Sequence, residues 1–183
     1  MSRIKRLIQS YAKFIAVPWR DDAASPQRVI FCIYHETDER ALRAKVDEFE
    51  LATRQVSHDW SAFDLTDSFA EWLASQRYAK SYFEKPELLA TLLPKYQTYI
   101  TSEFEAFLQK VDATPNMVVA LKGVGSLFGI LKVKEVVENL APKVKGRLLV
   151  FFPGSYENNN YRLLDGYDGW NYLAVPITAD KNE

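Results

Sequence analysis

The sequence predicts a single α/β domain over residues 28–177, with a mainly parallel sheet of about four strands, helices on both faces and a C-terminal antiparallel hairpin. Short apolar segments alternate with segments of helical periodicity, which is typical of parallel strands connected by helices. The chain of 183 residues suits one domain with a sizeable core. Turn-forming residues late in the chain separate two further short strands, which predicts the hairpin.

The N-terminal segment, residues 1–20, predicts an amphipathic helix. Its apolar side chains share one helical face, and its basic residues lie on the rest of the surface. This pattern is typical of a helix packed on its own domain or on a partner, and also of an interfacial or organelle-targeting helix. We favour packing. The apolar face consists of Ile4, Leu7, Ile8, Tyr11, Phe14 and Ile15.

Four segments predict the parallel strands. Residues 28–34, 117–121 and 147–152 are short apolar segments, and residues 59–65 alternate between polar and apolar side chains. Helices are predicted after Thr37, after Ser68 and over residues 87–93, 95–111 and 127–140.

The predicted C-terminal part begins with a polar loop over residues 153–160. Residues 161–164 and 172–175 are expected to pair around residues 165–169, which are rich in turn formers. A flexible tail is expected over residues 178–183.

The composition excludes some classes of function. A net charge of −1 supplies no long-range field that would attract nucleic acid, although Lys132, Lys134, Lys143, Lys145 and Arg147 form a local basic set. No segment has the length and apolar character of a membrane span. The single cysteine, Cys32, cannot form an internal disulfide, so we expect a reducing compartment and a cytoplasmic protein.

The glycine-rich segment over residues 123–129 follows a predicted strand and precedes a predicted helix. Backbone N–H groups in such a turn can approach a phosphate, so nucleotide binding is the alternative function. The segment lacks the Gly-Lys-Ser/Thr ending of a P-loop, and the next strand ends in Phe-Phe-Pro rather than in an acid for a ribose. We therefore favour a tight structural turn.

No catalytic or metal-binding set stands out. His35, with Glu36 and Asp38 beside it, has only His58 as a second histidine, whereas zinc requires three or four clustered ligands. Ser126 is not in a Gly-x-Ser-x-Gly elbow, and a thiol in the middle of a strand is expected to be unreactive. Asp64 ends a strand, where its expected role is to turn the chain into the next helix. We predict no enzyme activity, no metal and no cofactor.

The segment after Phe152 is the best exposed polar candidate. Pro153, Gly154 and Tyr156 precede a run of three asparagines. Tyrosine and tryptophan supply rigid contact area at interfaces, but the same rings can also cover the end of a sheet. Both interpretations stay open for Tyr156, Tyr161, Tyr167, Trp170 and Tyr172.

The second half of the chain resembles the BrxB family of bacterial BREX phage-defence systems. The likeness lies in the Gly123-Val-Gly125 turn after a strand, a helix ending near Leu140, and a strand that runs into Phe152-Pro-Gly-Ser-Tyr156. A later Tyr161-Arg-Leu-Leu strand and an aromatic strand at Tyr172 follow. The joints at Tyr34 and at Phe63-Asp64-Leu65 are also similar, so that the resemblance covers most of residues 28–177.

The resemblance implies a small cytoplasmic subunit of a multi-gene defence system that restricts phage and supports methylation of host DNA. It implies a non-catalytic scaffold that binds a PglZ-type protein of the alkaline-phosphatase superfamily, with other BREX subunits as further partners. Direct binding to nucleic acid or to a membrane is not expected. The helix over residues 1–20 is expected to be a second contact surface. The residues expected to contact the partner are Gly123, Gly125, Ser126, Pro153, Gly154, Tyr156, Tyr161 and Arg162.

Overall fold

The computed structural model of the chain describes residues 1–166 and 169–179. The strands are β1 (Val29–Tyr34), β2 (Asp59–Asp64), β3 (Met117–Lys122), β4 (Arg147–Glu157), β5 (Asn160–Leu163), β6 (Trp170–Asn171) and β7 (Val175–Ile177). The α-helices are α1 (Arg3–Ile15), α2 (Glu39–Ala44), α3 (Val46–Gln55), α4 (Ser68–Ala74), α5 (Ala79–Glu84), α6 (Leu93–Lys110) and α7 (Val133–Leu140).

The main sheet is parallel and has the strand order β2-β3-β4-β1-β7. The α/β class, the four predicted strands β1 to β4 and their parallel arrangement are confirmed. The predicted number of about four strands is too small, because Val175–Ile177 forms a further parallel strand, β7, beside β1. Pro176 has no N–H to donate, and it is tolerated there because β7 is an edge strand.

The C-terminal antiparallel part differs from the predicted hairpin. β4 continues past Pro153, which pairs with Tyr34, so the predicted loop over residues 153–160 is mostly strand. Asn158 and Asn159 have φ of 51° and 64°, the positive values that a tight two-residue hairpin favours, and they turn β4 back into β5. β5 then pairs with Trp170–Asn171 rather than with residues 172–175. We call β4 from Gly154 onward, together with β5 and β6, the ribbon.

Alternate residues of β1 supply the two halves of the core. Val29, Phe31 and Ile33 pack on the face covered by α4, α6 and α7, which also holds the buried rings of the ribbon. Ile30 and Cys32 pack on the opposite face, beneath α1 and α3. The predicted helices on both faces are therefore confirmed.

The segment after β3 departs from the predicted helix over residues 127–140. A 3-10 helix, Val124–Leu127, follows the glycine turn, and α7 starts only at Val133. Gly129 has φ +76°, a left-handed conformation that interrupts an α-helix. This interruption leaves Phe128 outside any helix.

α1 packs on the domain. Ile4, Leu7, Tyr11 and Ile15 are buried against the α3 side of the sheet, and the Tyr11 hydroxyl lies 2.6 Å from Thr53 Oγ1. Burying an aliphatic side chain of this kind contributes about 1.5–3 kcal/mol, so the apolar face is used for folding. None of the described helices has the length and hydropathy needed to cross a membrane.

Candidate functional site

The two segments predicted to contact a partner meet at the carboxyl end of the parallel sheet. Gly123–Ser126 follows β3, and Pro153 lies in the neighbouring strand β4. A Cβ atom added to Gly125 would lie 3.3 Å from Pro153 Cγ, so the two segments are in contact. The structure therefore brings together Gly125 and Pro153 as the position of parallel strand ends predicts.

The backbone of the glycine turn packs closely against the residues at the end of β2. Gly123 has φ +77°, and a Cβ added to it would lie 2.5 Å from the Thr66 backbone nitrogen. Ser126 Oγ lies 2.6 Å from the Gly123 carbonyl oxygen and 3.0 Å from that of Leu65. Since the turn leads into one turn of 3-10 helix, the helix dipole on which the nucleotide interpretation relied is small here.

A polar network that the sequence did not single out lies beside this turn. The Tyr34 hydroxyl donates to Glu39, which accepts a hydrogen bond of 2.8 Å from Arg43 Nε. Arg43 Nη2 donates to Thr66 Oγ1 over 3.0 Å, and Thr66 Oγ1 donates to Asp64 over 2.6 Å. Tyr34, Glu39, Arg43 and Asp64 line a cavity of about 120 Å³. The spacing of Glu39 and Arg43, four residues apart on α2, was the available signal.

The charges in this network compensate one another. Burial tends to raise the pKa of Asp64, but the hydrogen bonds from Thr66 and the charges of Lys122 and Arg43 outweigh burial and lower it. Burial, followed by the adjacent Glu39 carboxylate, raises the pKa of Tyr34. Asp64 is thus ionised and Tyr34 neutral at physiological pH, and the network acts as a brace between β1, β2 and α2.

The two histidines lie at different ends of the sheet. His35 follows β1, and its Nδ1 accepts from the backbone N–H of Thr37. His58 precedes β2, with its Nδ1 2.6 Å from Asn116 Oδ1. Within the described ranges, no group of three or more His, Cys, Asp or Glu side chains is placed to hold a metal ion.

Cys32 is buried in the middle of β1, and burial raises the pKa of its thiol. We expect the native protein to react with a disulfide reagent such as DTNB at least about 10³-fold more slowly than the chain in denaturant, because reaction requires opening of the core. Absorbance stopped-flow in buffer and in urea measures the two rates, with Cys32→Ser as the blank. Equal rates in the two solvents would show that the thiol is accessible in the native protein.

The aromatic side chains near the ribbon mainly cover the end of the sheet. Tyr161 is only 1% exposed, its ring centroid lies 4.5 Å from that of Phe31, and its hydroxyl donates to the Ala174 carbonyl. Trp170 is also buried, 5.7 Å from Tyr161 between ring centroids. The Tyr161 side chain therefore has almost no exposed surface that a partner could contact directly. Tyr167 lies outside the described residues.

Three further residues of the ribbon were predicted to contact a partner. Tyr156 and Arg162 have solvent-exposed surface, and Gly154 determines the path of the backbone. Tyr156 is half-buried against Tyr161, and Arg162 is exposed. Gly154 pairs with Leu163 and allows close approach of β5, because a Cβ there would lie 2.0 Å from the Arg162 carbonyl oxygen. Contact between these residues and a partner stays a prediction.

A groove of about 720 Å³ separates the ribbon from the loop over residues 128–132 and the start of α7. Phe152, Tyr161 and Trp170 supply buried aromatic surface at its base. Phe128 stands at its edge with 46% of its surface exposed. The sequence did not reveal this groove, because the predicted helix over residues 127–140 placed Phe128 within a regular helix.

The structure changes the interpretation of two other surfaces, the N-terminal helix and the set of basic residues. The apolar face of α1 is buried in its own domain, so a partner would meet the basic outer face of this helix. The five basic residues considered for nucleic acid do not form one patch. Lys132 and Lys134 line the groove, Lys143 forms an ion pair with Glu105, and Lys145 lies just before Arg147, which starts β4.

Comparison with known proteins identifies one family. The sequence model described as BREX protein BrxB matches residues 62–176, which is more than half of the chain. The matched range contains the glycine turn, the ribbon and the groove. No curated protein and no solved structure matches the chain.

Proposed function

This chain belongs to the BrxB family of BREX proteins and is therefore a subunit of a BREX defence system, and from that premise we propose that it is a non-catalytic adaptor in the cytoplasm. Its proposed partner is a PglZ-type subunit of the same system, with other BREX subunits as further candidates. The observation that carries the proposal is the groove beside the ribbon, which the exposed aromatic side chain of Phe128 lines together with buried aromatic rings.

The groove supports protein binding by its size and by its chemistry. A volume of about 720 Å³ accommodates several side chains of a partner. The apolar surface that a partner would remove from water comes from exposed Phe128 and from the partly exposed Ile130, Leu131 and Leu163, and its burial would supply binding energy as in the central regions of protein interfaces. Lys132 and Lys134 on one side and Asp165 on the other form a polar rim that would orient the partner.

The proposed contact surface consists of the groove and the exposed part of the ribbon. Tyr156, which pairs with Tyr161, extends the surface beyond the groove, and Arg162 is exposed on the other face of the ribbon; both belong to residue types that are enriched in interface hot spots. Gly125, Ser126 and Pro153 shape the adjoining edge rather than supply binding energy, since their atoms are engaged in packing.

The test is co-purification with the PglZ-type subunit encoded in the same gene cluster. We expect Phe128→Ser to weaken capture by about tenfold or more, because it removes an exposed aromatic anchor and leaves the core unchanged. The matched control is Leu51→Ser, which removes an exposed apolar side chain from α3 on the opposite face. Thermal unfolding of both variants checks that the fold is retained.

Two outcomes contradict the proposal. Undiminished capture by Phe128→Ser combined with Arg162→Ala would place the partner elsewhere on the molecule. An equal loss in Leu51→Ser would indicate that any loss of apolar surface impairs the assay, and the groove would then have no special role.

A further inference from the structure

The structure assigns a second site to the opposite end of the sheet: we propose that the surface formed by Arg28, Lys145 and Arg147 binds a phosphate group. This site is independent of the groove and of the partner proposed above. The ligand class is a small phosphorylated molecule, recognised through its phosphate.

The register of the sheet brings the two arginines together. Val29 of β1 pairs with Leu148 of β4, so Arg28 and Arg147 each lie one residue before this pair at the amino end of the strands. Arg28 Nη1 donates to the Lys145 carbonyl, and Arg147 Nη1 donates to the next carbonyl, that of Gly146, each over 3.3 Å. Both guanidinium groups are thus held by the same short backbone segment.

Neither arginine forms a hydrogen bond or a close ion pair with a carboxylate in the part of the chain that the structure describes. Arg147 is 9% exposed, and its second donor group, Nη2, binds the Arg20 carbonyl over 3.3 Å. The Nε atom of Arg28 is buried without a hydrogen-bond partner. Buried guanidinium groups are ordinarily paired with a carboxylate or a phosphate, and here only the more distant Asp21 offsets the charge of Arg147, so this surface keeps an excess of positive charge.

Trp19 holds one side of this cluster. The Arg147 Cζ atom lies 4.6 Å from the Trp19 ring centroid, and His58 stacks on the same indole at 3.7 Å between centroids. Burial, followed by the neighbouring charge of Arg28, lowers the pKa of Arg147, with Asp21 as a smaller opposing influence. The indole therefore fixes the guanidinium position, while the like charges remain close together.

These features favour phosphate over a single carboxylate. A phosphate monoester carries up to two negative charges and three terminal oxygens, so it can accept from the partly exposed Arg28 and the exposed Lys145 ammonium while its second charge offsets the neighbouring, buried Arg147. One carboxylate would neutralise one arginine and leave the second uncompensated. The near-neutral net charge of −1 favours a small ligand over a long polyanion.

The test is isothermal calorimetry of the full chain with pyrophosphate, at constant ionic strength. We expect saturable binding, weakened by about tenfold or more in Arg28→Gln, because one charge-assisted contact is lost. Lys80→Gln is the matched control, since Lys80 is an exposed cation on α5 away from this site. Arg147→Gln is assayed only if its thermal unfolding shows a folded protein, because the buried stack on Trp19 also supports the fold.

The outcomes separate the alternatives. Absence of saturable binding overturns the proposal, as does equal binding by wild type and Arg28→Gln, which would indicate a general effect of the anion on the protein. A single-stranded oligonucleotide titrated in parallel identifies the source of the phosphate. Tighter binding of the oligonucleotide, lost in Arg28→Gln and steeply weakened by salt, would retain the phosphate site but overturn the assignment of a small ligand.

Discussion

Replacement of Tyr161 by alanine is expected to lower the free energy of unfolding by about 3–5 kcal/mol. The side chain is fully enclosed, in contact with the rings of Phe31, Phe152 and Trp170, and alanine would leave a cavity among them. Its hydroxyl also donates to the Ala174 carbonyl, which would lose its partner inside the core. Loss of both packing and a buried hydrogen bond places this variant among the most destabilised in the domain.

Urea unfolding followed by circular dichroism measures the effect, and two variants of the ribbon serve as comparisons. Tyr161→Phe retains the ring and loses only the hydroxyl, so we expect a loss of about 1–2 kcal/mol. Tyr156→Ala removes a half-buried ring and should cost about 1 kcal/mol. A loss in Tyr161→Ala no larger than that in Tyr156→Ala would contradict the buried position. Any defect in partner capture by Tyr161→Ala therefore has to be judged against its folded fraction.

The central strands of the main sheet could be predicted because they are buried on both faces. Continuous apolar segments such as Val29–Tyr34 and Met117–Lys122 are the local signature of central parallel strands. The meeting of Gly125 with Pro153 followed from the same logic, because parallel strands end at a common edge. In both cases the information was local to each segment.

The ribbon and the groove could not be predicted, because they depend on pairing between distant residues. Gly154 and Tyr156 have the composition of a loop, and only the turn at Asn158 and Asn159 pairs them with β5. The burial of Tyr161 likewise depends on Phe31, far away in sequence. The sequence contained one overlooked signal, since consecutive asparagines are favoured in turns that require positive φ.

The positions of charged groups could not be predicted from the sequence either, as the polar network and the arginine pair show. Asp64 was recognised as the end of a strand, but Arg43 reaches Thr66 only through the packing of α2 beside β2. Arg28 and Arg147 become neighbours through the register of β1 with β4. Counting charges along the sequence gives the net value, whereas the position of uncompensated charge is a property of the folded chain.

Replacement of Gly154 by alanine is expected to reduce the free energy of unfolding by about 3 kcal/mol and to disrupt the ribbon selectively. A Cβ atom at this position would lie 2.0 Å from the Arg162 carbonyl oxygen, which is far inside van der Waals contact. Relief requires separation of β4 from β5, because the clash is with backbone rather than with the end of a flexible side chain. The parallel sheet is paired through earlier residues of β4 and should be retained.

Gly169→Ala is the matched control for Gly154→Ala, since a Cβ there meets its nearest neighbour at an ordinary 3.5 Å. Amide hydrogen exchange distinguishes the two regions: in Gly154→Ala we expect faster exchange in β5 than in wild type, with β1 and β3 still protected. If the proposed contact surface is correct, this variant also loses capture of the PglZ-type subunit while the sheet remains folded, because the ribbon forms one wall of the groove. Unchanged exchange in β5 would show that the ribbon tolerates the added methyl group, and uniform loss of protection would show that ribbon and sheet unfold as one unit.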